Sequence, residues 1–244
     1  MKIFLAGSGW DKVCWRDRGF YNFNRLESYH YIKDEREVIH RYDNFLLDSG
    51  AFSYMSGSKG PVNDWDAYID GFAAFINKYD VKYFFELDID VIVGLPEVNR
   101  LRAKLESLTG KQAIPVWHKS RGMDYWKDMV KRYKYVAIGG IVTREIKRSE
   151  YHNFNNLLSI AKQAGCKVHG LGFTNLRILK DFDFYSVDST SWLGGNRFGF
   201  LYHFNGRTLE QINRKENQRV KAHAVAKHNF KEWHKYSKYI DATT

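Results

Sequence analysis

Three apolar runs in this chain stop at a carboxylate. Phe45-Leu-Leu ends at Asp48, Tyr83-Phe-Phe-Glu-Leu ends at Asp88, and Phe184-Tyr-Ser-Val ends at Asp188, which small hydroxyl residues follow. Short runs of β-branched and aromatic residues bounded by polar or turn residues read as strands buried on both faces, the kind that parallel sheets use. An acid at the end of such a strand is aimed at something. Three of them imply one shared site.

The rest of the chain keeps the same alternation. Lys2 to Ala6 reads as a first strand emptying into Gly7-Ser-Gly9. Further strand signals lie at Ala113 to Val116, Tyr135 to Ile138, Lys167 to His169 and Phe198 to Phe204. Helical patterns separate them. Leu26 to Tyr42 carries charges around an apolar set, Asn63-Asp64 opens a helix over Trp65 to Ile76, and Pro96 or Glu97 opens another that stops near Gly110. Helices also fit Tyr125 to Val130, Phe154 to Ala164 before Gly165, and the short Leu176 to Leu179 stretch.

Eight strand signals interleaved with helices predict an α/β fold: a single-domain (β/α)8 TIM-like barrel over residues 1–206. A basic helical C-terminal segment, 207–244, is expected to pack on it, with one or two helices over Leu209 to Tyr239. An open doubly wound sheet is the rival. The barrel is preferred because Asp48, Asp88, His118, Gly139, Gly140, Gly170 and Asp188 all follow the C-terminal ends of strands, where such barrels keep their active sites.

The chain's 244 residues suffice for one substantial domain; 44% are hydrophobic and only three are proline. The formal net charge of +10 suits a polyanionic partner better than a small neutral one, although a merely soluble basic surface has the same composition. Two cysteines, Cys14 and Cys166, cannot build a four-thiolate metal site, and their use fits a reduced cytoplasmic setting. Neither a signal peptide nor a membrane span is expected, and no metal or cofactor is inferred.

Paired acids are what glycosidic chemistry requires: one ionised group attacks or stabilises the anomeric carbon while another protonates the departing group. A strand-end carboxylate also serves as a helix N-cap or loop tie, so each acid alone is ambiguous. Gly139-Gly140 is either a tight turn or a place where backbone approaches a flat ligand, and Gly170-Leu-Gly172 has the same two readings. His118 is either a ligand contact or a satisfied core histidine. The stretch from Arg207 to Lys238 interleaves cations with Trp233, Tyr236 and several histidines. It suits a phosphate backbone and unstacked bases, or a plain surface helix.

LLDSGAFS, FFELDID, IPVWHKSRG, YVAIGGIVTRE, VHGLGF and YSVDSTSW occur in that order. Over about residues 45 to 192 this resembles the transfer-RNA guanine transglycosylases and their DNA-modifying relatives, mostly phage-borne, which insert 7-deazaguanine bases. The resemblance implies a barrel enzyme that exchanges guanine for a 7-deazaguanine (preQ0-like) base through a covalent aspartyl-glycosyl intermediate. By position Asp188 is similar to the family's nucleophile, Asp48 to its general acid and base, and Asp88 to the residue that recognises the base edge. Gly139, Gly140 and Gly170 match glycines lining the base pocket, and His118 falls where the family commonly has a base-contacting glutamine. Ser49 and Phe52 are further candidate base contacts. Arg197, Arg207, Arg214, Lys215, Arg219 and Lys221 are candidate nucleic-acid contacts.

The chain lacks the three cysteines and histidine of the transfer-RNA enzymes' zinc site and is much shorter. DNA is therefore the expected polymer, with transfer RNA as the alternative, a 7-deazaguanine base as the small substrate, and the cytoplasm, the host's if the gene is phage-borne, as the setting. Two other readings compete. A nucleoside deoxyribosyltransferase acting on free nucleosides shares a first strand faintly like Lys2-Ile-Phe-Leu-Ala-Gly-Ser8, and an inactive nucleic-acid-binding module shares the charge.

Overall fold

The computed structural model describes residues 1–7, 19–32, 36–55, 64–213 and 221–244, without the side chains of 196 and 197. Seven strands form one parallel sheet: β1 (Lys2–Ala6), β2 (Asn24–Ser28), β3 (Asn44–Asp48), β4 (Val116–Trp117), β5 (Tyr135–Ile138), β6 (Lys167–Gly170) and β7 (Ser186–Ser189), in the order β3-β2-β1-β7-β6-β5-β4. Two single bridges, Leu47 to Phe84 and Phe85 to Ile114, extend the parallel pairing beyond β3. The Phe85 amide donates to the Leu47 carbonyl at 3.0 Å, and the Ile114 amide to the Phe84 carbonyl at 2.8 Å.

Side-chain alternation explains how this sheet curls. Phe4, Ala6, Leu26, Leu46, Phe85, Val116 and Ala137 meet in one buried cluster on the inner face. Their neighbours in sequence, Ile3, Leu5, Val136 and Ile138, belong instead to the larger core between sheet and helices. The Trp65–Lys78 and Leu95–Thr109 helices cover the outer side near β3 through Ile69, Phe72, Leu101 and Leu105. Asp64 caps the first of them, accepting from the Ala67 amide at 2.9 Å, and Gly110 ends the second in the left-handed conformation. The Gly122–Arg132 and Phe154–Gln163 helices also form where apolar spacing predicts them.

Three expectations are corrected. The stretch from Leu26 to Tyr42 is not a single α-helix: among its described residues β2 occupies up to Ser28, and a short 3-10 helix covers Arg36–Arg41. Its polar composition misled because Arg25 and Glu27, both buried, neutralise each other as an ion pair. The run from Phe198 to Phe204 does not join the parallel sheet. Residues Phe200–Phe204 (β8) pair antiparallel with Leu209–Asn213 (β9), so the expected C-terminal tail begins as a strand rather than a helix. The helix itself runs from Ala222 to Thr243. Its Phe230, Trp233, Tyr236 and Ile240 are buried in the same core as Ile3 and Leu5. Among the described residues no helix is long and apolar enough to cross a membrane.

Candidate active site

The chain leaves β3, the Phe84–Phe85 bridge, β4, β5 and β7 on one rim, and the residues there line a cavity of about 440 Å³. Asp48, Ser49 and Phe52 enter from β3, Asp88 from beyond Phe85, and His118 from β4. Gly139 and Gly140 enter from β5, and Asp188 from β7. Gly170 does not line it. That residue ends β6 against Phe173 and Phe184, whose atoms would lie 3.1 and 3.2 Å from an added Cβ, and Leu171 and Gly172 take the lining positions.

Asp188 is held through one oxygen. Its Oδ1 accepts from the Gly172 amide at 2.6 Å and lies 3.2 Å from His169 Nε2. His169 is fully buried, with the rings of Phe4 and Phe85 beside it, and its Nδ1 is 2.6 Å from Ser186 Oγ. Ser186 Oγ lies 2.5 Å from the Tyr135 hydroxyl. An ionised carboxylate only accepts, so with Asp188 charged and the His169 ring neutral the donors run in one direction, from Tyr135 through Ser186 and His169 to Asp188. Asp188 Oδ2 has no hydrogen-bond partner among the described residues.

Asp48 sits in a different environment. Burial pushes its carboxyl up to about 6; the amide of Gly50, 3.1 Å away, opposes this, and the nearby carboxylates of Asp188 and Glu27 reinforce it. Only part of the residue faces the cavity. A carboxyl poised there can give a proton and take one back near neutral pH.

Asp88 and His118 form a third unit. Asp88 Oδ1 accepts from Arg121 Nη2 at 2.7 Å, and Oδ2 lies 2.6 Å from His118 Nε2. The other ring nitrogen of His118 lies 2.8 Å from Glu145 Oε2. Burial works against an imidazolium, but hydrogen bonds to two carboxylates outweigh it and raise His118 to about 9. His118 is thus a cavity residue whose nitrogens are both engaged. Beneath it Arg121 reaches Glu86 at 2.8 Å and Asp90 at 3.0 Å, while Arg102 takes the other Glu86 oxygen at 2.7 Å. Three cations, Arg102, Arg121 and His118, therefore face four carboxylates, Glu86, Asp88, Asp90 and Glu145. The unit keeps a surplus of acceptors.

The glycine pair makes room for this unit. A Cβ on Gly139 would lie 2.8 Å from His118 Cε1 and from Val116 Cγ1. One on Gly140, at φ 75°, would lie 2.7 Å from Glu145 Oε2. Phe52, 52% exposed, and Tyr31, 47% exposed, offer aromatic faces at the cavity.

His169, Arg121, Glu145 and Tyr31 were not foreseen. His169 lies in the same strand pattern as Gly170, but its partners are 17 and 19 residues away, and Glu145 meets His118 across 27. Among the expected nucleic-acid contacts, Arg207 and Lys221 are exposed, whereas Arg214, Lys215, Arg219 and the Arg197 side chain lie outside the described residues. Trp233 and Tyr236 are 0% and 1% exposed and cannot stack on a base, and Lys238 is paired to Asp43 at 2.6 Å. Among the described residues no group of three or more His, Cys, Asp or Glu side chains is arranged to hold a metal ion. No protein-family model matches this chain, and a search of curated proteins finds no match.

Proposed function

We propose that this protein is a base-exchange transglycosylase that replaces guanine in DNA with a 7-deazaguanine (preQ0-like) base, built on a (β/α)8 barrel whose remaining strand is the Tyr83–Phe85 segment. The observation that carries the reading is the convergence of Asp48, Asp88 and Asp188 on one cavity while their environments differ. The cavity volume lies within the range of small-molecule sites.

Asp188 is the nucleophile. Its unpartnered Oδ2 attacks C1′ of the target nucleotide, the bond from C1′ to guanine N9 breaks, and protonated Asp48 supplies the proton that the departing base needs. The sugar stays bonded to Asp188, so the phosphodiester chain remains intact. In the second half N9 of the incoming base attacks C1′, Asp188 leaves, and the Asp48 carboxylate takes the N9 proton. Atoms and charges return to their starting arrangement. Asp88, with acceptor capacity beyond Arg121 and His118, binds the donor edge of the base, where guanine presents N1–H and its 2-amino group. Phe52 and Tyr31 supply stacking surfaces.

The test is exchange of radiolabelled guanine into guanine-containing DNA by the wild type and by Asp188→Ala. The wild type incorporates label, and the variant incorporates none while binding DNA nearly as well. A fully active Asp188→Ala protein removes the nucleophile from this assignment.

A further inference from the structure

Beside the base cavity lies a second, larger depression of about 1130 Å³, bounded by the β5 loop, the β6 loop and β9. The two adjoin, since Val142, Gly172 and Thr174 line both. Four cations, Arg144, Lys147, Arg148 and Arg177, line the larger one, against a single carboxylate, Glu210. All four are exposed, and among the described residues none makes an ion pair.

Elsewhere on the surface some exposed cations are unpaired as well, Lys78, Lys131 and Lys231 among them, and others are paired with carboxylates, whereas these four share one depression. Arg100 is paired with Asp66 and Glu97, Lys111 with Asp80, Lys119 with Glu150, and Lys162 with Asp183. Unpaired like charges along one concave wall raise a field that attracts a polyanion, and the shape concentrates it. Arg144 adds a second sign: its φ of 62° is rare for a residue with a side chain, and the loop is tied by the Ile146 amide donating to the Gly140 carbonyl at 3.1 Å. Strain of this kind persists where the surrounding structure fixes it, and it collects at functional positions.

We infer that this groove holds the phosphate backbone of the polynucleotide strand next to the target nucleotide, so that the backbone runs over Arg144, Lys147, Arg148 and Arg177 while the target base turns past Val142 and Gly172 into the cavity. The inference rests on the base-exchange reading for what enters the cavity, but not for the charge of what lies in the groove. It places the main polymer contact on the β5 and β6 loops rather than on the C-terminal helix, whose Phe230, Trp233 and Tyr236 are buried.

The experiment measures fluorescence anisotropy of a labelled guanine-containing single-stranded DNA with the full-length protein across a series of salt concentrations. The quadruple variant Arg144→Gln, Lys147→Gln, Arg148→Gln and Arg177→Gln is compared with a control that removes equal charge elsewhere: Lys78→Gln, Lys127→Gln, Lys131→Gln and Lys162→Gln. The groove variant binds at least about tenfold more weakly, and its plot of log affinity against log salt is flatter by roughly 2–3. The control stays close to wild type. Equal losses in both variants, or none in the groove variant, overturn the groove assignment. Exchange measured on the same preparations separates the two ideas: exchange with groove-independent binding removes the groove alone, whereas groove-dependent binding by a wild type that exchanges no base removes the base-exchange reading alone.

Discussion

Asp48 and Asp188 face one cavity, the proposed exchange requires opposite protonation states of them, and their surroundings differ. The Gly172 amide donates to Asp188, whose same oxygen lies 3.2 Å from His169 Nε2, while Asp48 is desolvated beside other carboxylates. A carboxyl raised by burial and set beside a second carboxylate is the pattern that the proposed acid and nucleophile require. Asp48→Asn, nearly isosteric but unable to shuttle a proton, should lower turnover by about two to four orders of magnitude in the exchange assay. Its stability should move the other way. A carboxyl whose folded value of about 6 lies above its unfolded value holds extra protons in the folded state, so wild-type stability falls as pH rises through that window. Asp48→Asn is therefore expected to be more stable than wild type by roughly 2–3 kcal/mol at pH 8, with the gain shrinking toward pH 4, as read by urea melts. An unchanged difference across that range would remove burial as the cause. His118 has the opposite linkage: its stabilisation is complete below its unfolded value and is lost as pH rises through about 9. His118→Gln should cost roughly 1–3 kcal/mol at pH 6 and converge on wild type above pH 9, and a pH-independent cost would show that the ring acts by packing alone. The carboxylates were legible in the sequence because each ends an apolar run. His169, Arg121 and Glu145 were not, because what defines them is a partner 17 to 35 residues away.

At the scale of elements, what sequence revealed follows burial. Strands buried on both faces are apolar throughout, so the runs before Asp48, Asp88 and Asp188 announced themselves, and the amphipathic helices over 65–78, 95–109, 122–132 and 154–163 did so by spacing. β2 escaped because its sequence, Asn-Arg-Leu-Glu-Ser, is mostly polar: Arg25 and Glu27 satisfy each other inside, and only the folded neighbours make that tolerable. The strand of 200–204 was legible, but its partner was not: β9 carries one buried residue, Leu209, and exposes the other four, Ile212 included. The cations and aromatics of the last helix suit nucleic acid or a plain surface helix by sequence, yet Trp233 is fully buried, with the Tyr202 ring 5.4 Å away. Trp233→Ala should destabilise the protein by about 3–5 kcal/mol and lower its Tm, whereas a residue that stacked on DNA would leave Tm unchanged and weaken binding only. Calorimetry of the variant without DNA decides between these.

For the whole molecule, the excess of 38 basic over 28 acidic residues does not by itself name a partner, but its distribution is informative. On the helices some exposed cations are paired with carboxylates and others, such as Lys78 and Lys131, are not, while the groove beside the cavity gathers four cations against one carboxylate. A cavity sized for a base that adjoins a cationic groove suits a polymer whose target nucleotide is turned out of its stack, a step that costs a few kcal/mol in duplex DNA and less where the base is already unpaired. A free nucleoside would make no use of the groove. The most direct measurement is mass spectrometry of the nucleosides recovered from DNA and from transfer RNA after incubation with the protein and a set of 7-deazaguanine bases. The account predicts a 7-deazaguanine deoxynucleoside in the DNA, formed faster from single-stranded than from duplex substrate and absent with Asp188→Ala; a modified nucleoside only in the transfer RNA, or in neither polymer, would contradict it.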